Sequence, residues 1–186
     1  REGFMRAALP HLAENAAWYC WHASTRATEL TALWKTIGVL HHQTIIWSKP
    51  RSVMGYTYFH WQHEPCLFGW VKGHKPTRGD EANSISSVWN LDYDGKTANS
   101  SSENEHPTMK PVEVFAIPMR VHTQPGDLCY EPFSGSGTQI IAAERTGRVC
   151  YAVEIEPVFV DVARRRWAEF VHGEGCDWEK LTPAAG

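Results

Sequence analysis

The 186-residue chain lacks three features that mark whole classes of protein. No apolar run approaches the roughly 20 residues that span a bilayer, so no membrane partner is predicted. Its five cysteines form no Cys-x-x-Cys pair, which argues against a zinc site or a disulfide scaffold and favours a reducing, cytoplasmic setting. Eighteen Lys and Arg against 21 Asp and Glu leave a net charge of −3. Any contact with nucleic acid must therefore come from a local patch or from chain outside these residues.

The composition itself is globular, with 42% hydrophobic and 21% charged residues, and the length suits one domain, residues 1–186. Helical periodicity alternates with short apolar strands, which predicts an α/β fold with a mostly parallel sheet. Residues 16–21 and 43–50 are predicted strands, the second one ending at Pro50. An antiparallel pair of strands is predicted for residues 56–61 and 64–71.

A polar segment, residues 72–105, interrupts this alternation. It is rich in Ser, Asn and Gly, and its only residues that could anchor it are Val88, Trp89, Leu91 and Tyr93. Loops of this length inside a compact domain are usually functional or disordered. The segment is predicted to be an insertion at one edge of the domain.

The clearest motif is a strand that leads into Gly135-Ser136-Gly137, followed by a helix from Thr138 and a second strand that ends at Glu154. Such glycines let the backbone approach a ligand, and a carboxylate about 20 residues onward can bind ribose hydroxyls. Ile140 stands where a dinucleotide-binding motif has its third glycine. The pattern therefore favours a ligand with a ribose but no pyrophosphate, typically S-adenosylmethionine, over NAD. A plain Gly-Ser turn with a solvated Glu154 is the alternative.

A second motif, residues 106–115 (HPTMKPVEVF), precedes another predicted helix. Its two prolines fix the backbone around Thr108 and Lys110. A hydroxyl and a positive charge on a rigid turn suit a ligand that carries a carboxylate, although Lys110 by itself could be a solvated loop charge.

Together with EPFSGSGT (131–138) and YAVEIEP (151–157), this motif resembles the circularly permuted beta group of DNA amino-methyltransferases. AAWYCWHAS (16–24), QTIIWSKP (43–50) and YFHWQHEPCLFGWVKG (58–73) are similar to the middle strands of that family, in order, so the resemblance covers nearly the whole chain. Within the group the chain most resembles short bacterial and phage DNA modification methylases of restriction-modification systems. The resemblance implies a Rossmann-like fold with an antiparallel hairpin, and transfer of a methyl group from S-adenosylmethionine to the amino group of adenine (N6) or cytosine (N4) in double-stranded DNA.

The resemblance also implies roles for individual residues. The cofactor would be bound by residues of both motifs and of the strand end that follows: His106, Pro107, Thr108, Lys110, Glu131, Phe133, Ser134, Gly135, Gly137, Thr138, Glu154 and Ile155. Among these, Glu154 would take the ribose hydroxyls and Ile155 would pack on the adenine. Glu131 departs from the usual Asp by one methylene, so a small shift is expected.

Other residues are expected to face the DNA. The resemblance implies a target-base pocket near His63 and Glu64, although both could be ordinary polar groups of a hairpin. It also places target recognition in residues 72–105, which makes Lys72, Lys75 and Arg78 candidate DNA contacts. His60 and His63 are not predicted to bind a metal, because residues three apart in a strand point to opposite faces.

One element of the family is missing from these residues. The catalytic tetrapeptide, Asp-Pro-Pro-Tyr or a close relative, occurs nowhere in the 186 residues and is expected on a strand upstream of Arg1. Without that strand the sheet would be split, and an upstream segment, a partner strand or a homodimer would have to complete it. These residues alone are therefore expected to be inactive. A non-catalytic module that binds S-adenosylmethionine or DNA remains the alternative.

Overall fold

The computed structural model describes residues 2–53, 55–92 and 109–183. They belong to two compact units, and the boundary between the units falls between Asp92 and Tyr93 in the sequence. None of the helices in these ranges has the length and apolar character needed to cross a membrane.

The first unit is built on a four-stranded sheet. Its strands are β1 (Trp18–Trp21), β2 (Val39–Val53), β3 (Trp61–Val71) and β4 (Val88–Asn90), in the spatial order β1-β3-β2-β4. Strand β3 is antiparallel to both β1 and β2, whereas β4 is parallel to β2. Helices α1 (Glu2–Ala8) and α2 (Ala27–Thr36) complete the unit.

Helix α2 anchors the core of this unit. Leu30, Trp34 and Ile37 recur at helical spacing, and Trp34 is fully buried among them with Val39 and Leu67 of the sheet. The core of this unit therefore lies where α2 packs against β2 and β3.

The hairpin of β2 and β3 differs from the prediction. Strand β2 continues through Pro50 to Val53, because its register with β3 shifts between Ser48 and Val53, where the missing proline N–H costs no ladder bond. Residues 56–60 are not a strand but the loop between the two strands, so the predicted pairing of residues 56–61 with 64–71 is wrong. The loop places its aromatic side chains outside any ladder.

The first part of the polar segment is anchored to the sheet. Strand β4 pairs with β2 through Val88, Trp89 and Asn90, and the Trp89 side chain is buried. The indole N–H of Trp47 donates a hydrogen bond to the carbonyl oxygen of Leu91 at 3.1 Å. Residues expected to anchor the segment, Trp89 and Leu91, are thus attached to the sheet, although a short strand at this point was not predicted. Residues 93–105 lie outside the described residues.

The described residues of the second unit form two parallel strands and four helices. Helix α3 (Glu113–His122) is followed by β5 (Leu128–Glu131), α4 (Thr138–Thr146), β6 (Val149–Ala152), α5 (Pro157–His172) and α6 (Trp178–Leu181). Strand β5 pairs with β6 in register, from Leu128 opposite Val149 to Glu131 opposite Ala152. Its core cluster combines apolar residues of the α3 region and of α4, including Ala116, Met119, Ile141 and Ala142.

The α/β class is confirmed, but the sheet is only partly parallel. Two of the described strand pairings are parallel and two are antiparallel. Among the described residues β1 pairs with β3 alone and β5 with β6 alone. A further strand that completes the sheet stays a prediction.

Candidate functional site

The turn between β5 and α4 contains the Gly-Ser-Gly motif. Gly135 and Gly137 have φ angles of +54° and +75°, a region that residues with a Cβ rarely adopt. A Cβ on Gly137 would lie 2.6 Å from Cβ of Ala163 on α5. Glycine is thus required at this position by backbone conformation and by the close approach of α5.

Glu154 connects the end of β6 to this turn. Its Oε2 accepts a hydrogen bond from the amide of Gly135 at 2.7 Å. Its Oε1 accepts from the amides of Ile155 and Glu156, both at 3.0 Å. The spacing in the sequence predicted that Glu154 and the glycines would bind the same ligand, and the structure brings them into direct contact.

Glu131, at the end of β5, has an unusual environment. Its Oε1 accepts a hydrogen bond from the amide of Phe133 at 2.9 Å. Burial raises the pKa of Glu131 to about 7, although the Phe133 amide and the positive charge of Lys110 act in the opposite direction. Lys110 therefore lies within electrostatic reach of Glu131, and the two sequence motifs meet here.

The side chains at the carboxyl ends of β5 and β6 differ in their exposure. Phe133 follows β5 and Ile155 follows β6, and their exposed fractions are 66% and 95%. In contrast, Ser134 and Thr138 are buried inside the turn. The described cofactor candidates are thus brought to one edge, whereas His106, Pro107 and Thr108 lie outside the described residues.

Two residues that were not predicted from the sequence donate hydrogen bonds to the glycine turn. The guanidinium Nη1 of Arg166 donates to the carbonyl oxygen of Ser136 at 2.6 Å, to its Oγ at 2.9 Å and to Oγ1 of Thr138 at 3.2 Å. The side-chain amide of Gln139 donates to the carbonyl oxygen and Oγ of Ser134, at 3.1 and 2.6 Å. Arg166 and Gln139 together position the backbone of the turn.

The sequence did contain a signal for Arg166. Val162 and Ala163 lie on the buried face of α5, and Arg166 follows them at steps of four and three residues. An arginine at that spacing indicates a polar partner within the core. No such periodicity marks Gln139, which lies in the first turn of α4.

His63 and Glu64 lie on β3 in the first unit. Glu64 forms an ion pair with Lys49 at 2.7 Å, and both side chains are largely buried. The ring of His63 contacts Trp61 edge-on, with 5.4 Å between the centroids. His60 is in the loop before β3, so the strand geometry used to separate it from His63 does not apply. No group of three or more metal-ligating side chains occurs in the described part of the chain.

Three basic residues at the start of the polar segment are exposed. They are Lys72, Lys75 and Arg78, all in the first unit. Arg78 donates a hydrogen bond to the carbonyl oxygen of Ala82 at 3.4 Å. Their exposure leaves all three side chains accessible to a polyanion.

Comparisons of the sequence identify relatives with a known activity. The profile of a DNA methylase family matches residues 4–165. The type II methyltransferase M2.MboI of Moraxella bovis is 29% identical over 139 residues, which cover 67% of this chain and 49% of that protein. M.XycI of Xanthomonas campestris pv. cyanopsidis, also a type II methyltransferase, is 24% identical over 133 residues, 66% of this chain and 42% of that protein. The chain spans about half the length of these relatives.

Solved structures confirm the predicted methyltransferase fold. The crystal structure of M1.HpyAVI with SAM superimposes with a TM-score of 0.75 at 19% identity, covering 89% of this chain and 81% of that one. The cytosine-N4-specific PvuII DNA methyltransferase superimposes with a TM-score of 0.77 at 15% identity, covering 96% and 72%. Because the family profile spans most of the sequence, the chain belongs to the DNA methylase family of N6 and N4 amino-methyltransferases.

Proposed function

We propose that this protein binds S-adenosylmethionine and moves its methyl group to the exocyclic amino group of adenine (N6) or cytosine (N4) in double-stranded DNA. The observation that carries the proposal is the contact between Glu154 and Gly135. It places a carboxylate suited to ribose hydroxyls directly beside a glycine turn that a ligand can approach closely.

The residues at this edge fit the parts of the cofactor. Glu154 would accept hydrogen bonds from the ribose, and the exposed side chains of Phe133 and Ile155 offer apolar surface to the adenine. Glu131 would attract the ammonium of the methionine part, while Lys110 would attract its carboxylate.

The remaining cofactor residues have supporting roles in the proposal. The turn that would wrap the methionine and adenosine contains Ser134, Gly135, Gly137 and Thr138. Hydrogen bonds from the turn to Glu154, and to the turn from Gln139 and Arg166, hold its backbone in place, which supports this role. His106, Pro107 and Thr108 keep the role that the family resemblance implies, at the methionine end.

Catalysis in this scheme rests mainly on positioning. S-adenosylmethionine supplies an activated methyl group on a sulfonium, so the protein needs to align the acceptor amine and exclude water. The target base must first leave the helix, which costs a few kcal/mol. The 186 residues contain no Asp-Pro-Pro-Tyr-type tetrapeptide, and we assign no catalytic residue within them.

The DNA would be contacted from the first unit. The exposed side chains there that suit contacts with phosphates are Lys72, Lys75 and Arg78. His63, next to Glu64 on β3, lines an aromatic depression. We assign these residues to DNA binding and to the target-base pocket. Residues 72–105 serve as the candidate target-recognition segment, and residues 1–186 as a single methyltransferase domain.

Calorimetric titration with S-adenosylmethionine tests the proposal. Glu154→Ala removes a charged acceptor, so the free energy of binding should weaken by about 1.5–3 kcal/mol, roughly ten- to hundredfold in Kd. Glu156→Ala removes a neighbouring exposed carboxylate and serves as the control. Equal affinity of both variants would refute the assignment, as would tighter binding of NAD. Methyl transfer to DNA is assayed with a segment that carries the tetrapeptide restored upstream of Arg1, and binding without transfer in that assay would indicate the non-catalytic module instead.

A further inference from the structure

The loop between β2 and β3 exposes aromatic rings to an unusual degree. Tyr56 and Tyr58 are fully exposed, and the exposed fraction of Phe59 is 88%. Large aromatic side chains normally bury most of their surface, and an exposed cluster of them marks a binding surface. Scattered single exposures are ordinary, but these three rings lie within four consecutive positions.

The same segment of chain is free of acidic residues. No Asp or Glu occurs between Lys49 and His63, whereas Lys49, Arg51 and two histidines do. The first acidic residue after the loop, Glu64, is paired with Lys49. A polyanion that approaches the loop therefore meets Arg51, which is exposed, and no carboxylate of the loop itself.

The hairpin also forms a half-open depression on the surface. Its volume is about 390 Å³, and it is lined by Thr57, Tyr58, Phe59, His60, Trp61 and His63. The ring of Trp61 stands edge-on to that of His63, so planar groups form part of its wall. Flat walls of this kind suit a flat guest better than a rounded aliphatic one.

We propose that residues 55–61, the hairpin tip, are a stacking surface for unpaired bases of a DNA strand. The inference rests on the proposed function, because a methyltransferase that extrudes a base leaves bases without their stacking neighbours. Exposed aromatic rings next to positive charge are what single strands bind, and each base can stack regardless of its identity. A protein partner would instead favour a continuous apolar patch, but the rings alternate with the exposed polar residues Thr57 and His60.

The test compares two short DNA strands of equal length by fluorescence anisotropy. One carries adenine at every position and the other is abasic throughout, so both present the same phosphate charge. The wild-type protein should bind the adenine strand more tightly than the abasic one. The double variant Tyr58→Ala/Phe59→Ala should lose about tenfold or more of the affinity for the adenine strand, since one stacked ring contributes roughly five- to 150-fold. Its affinity for the abasic strand should not change.

Two controls separate stacking from other effects. Tyr58→Phe/Phe59→Tyr keeps both rings and should bind as the wild type does. Phe170→Ala removes a half-exposed ring on α5, away from the hairpin in the chain, and should leave DNA binding unchanged. Thermal denaturation of the alanine variant should match the wild type, because the removed side chains are exposed.

Three results would overturn the inference. The first is equal affinity of the wild type for both strands, and the second is an equal loss for both strands in the alanine variant. The third is unchanged DNA binding with a changed oligomeric state, which would make the tip a protein contact. Binding of S-adenosylmethionine, measured separately, shows whether the proposed function fails along with the stacking surface or survives its loss.

Discussion

Arg166 offers the sharpest test of how the candidate cofactor turn is held. All three of its contacts with Ser136 and Thr138 end on one nitrogen, Nη1, which carries two hydrogens. The guanidinium therefore forms about two full hydrogen bonds, with the 3.2 Å contact to Thr138 as the weakest. Both acceptor residues are buried, so Arg166→Ala leaves their oxygens without this donor.

The size of the effect follows from these contacts. A hydrogen bond to a charged group contributes about 1.5–3 kcal/mol, and the partial exposure of Arg166 reduces that value. We expect Arg166→Ala to lower the free energy of unfolding by about 2–3 kcal/mol. The affinity for S-adenosylmethionine should fall about tenfold or more, because the turn would no longer be held in its binding geometry.

Urea denaturation and calorimetric titration measure the two quantities. Arg165→Ala is the matched control, since Arg165 lies on the same helix and donates to none of the turn atoms that Arg166 contacts. Arg166→Lys should recover part of the stability but little affinity, because a single ammonium cannot reproduce the planar fork. If Arg166→Ala unfolds and binds the cofactor as Arg165→Ala does, Arg166 does not position the turn.

Three further predictions concern other parts of the chain. Gly69→Ala would put its Cβ 1.9 Å from a backbone oxygen of β2, so urea denaturation should show a loss of about 2–3 kcal/mol or more, and a loss below 1 kcal/mol would contradict the close approach. Because the pKa of Glu131 is raised in the folded protein, its contribution to the free energy of unfolding is fully present below pH 4.5 and is lost as the pH rises through about 7. Melting temperatures of the wild type should therefore fall across that window relative to Glu131→Gln, and parallel curves would count against it. The last prediction concerns the exposed basic residues Lys72, Lys75 and Arg78. Neutralising them should weaken DNA binding and lower the slope of its salt dependence by close to one unit for each residue, whereas an unchanged slope would exclude them as phosphate contacts.

Much of the fold could be predicted because local patterns agree with it. The helical spacing of Leu30, Trp34 and Ile37 matches the buried face of α2. The glycine turn and Glu154 were predicted to share one ligand, and they lie together because parallel strands end at the same edge. These features depend on residues close together in the sequence or on a known supersecondary unit.

The features that were missed depend on contacts between distant segments. Pro50 normally ends a strand, but a register shift against β3 removes the need for its N–H. The aromatic run at residues 56–61 has strand propensity, yet the chain must turn there to form the hairpin. The apolar residues around Trp89 indicated an anchor for the polar segment, but its pairing with β2 as a strand depends on a partner about 40 residues away.

The carboxylate of Glu154 has a consequence for which nucleotides can compete at this edge. It accepts hydrogen bonds from one amide of the glycine turn and from the amides of the two residues that follow it, so it is held in place when a ligand arrives. Ile140 stands where a dinucleotide-binding motif has its third glycine, so the turn offers a pyrophosphate no close backbone approach. In the proposed cofactor site, the fixed Glu154 would take the ribose of any adenosine ligand, and the missing glycine would leave NAD without a place for its pyrophosphate.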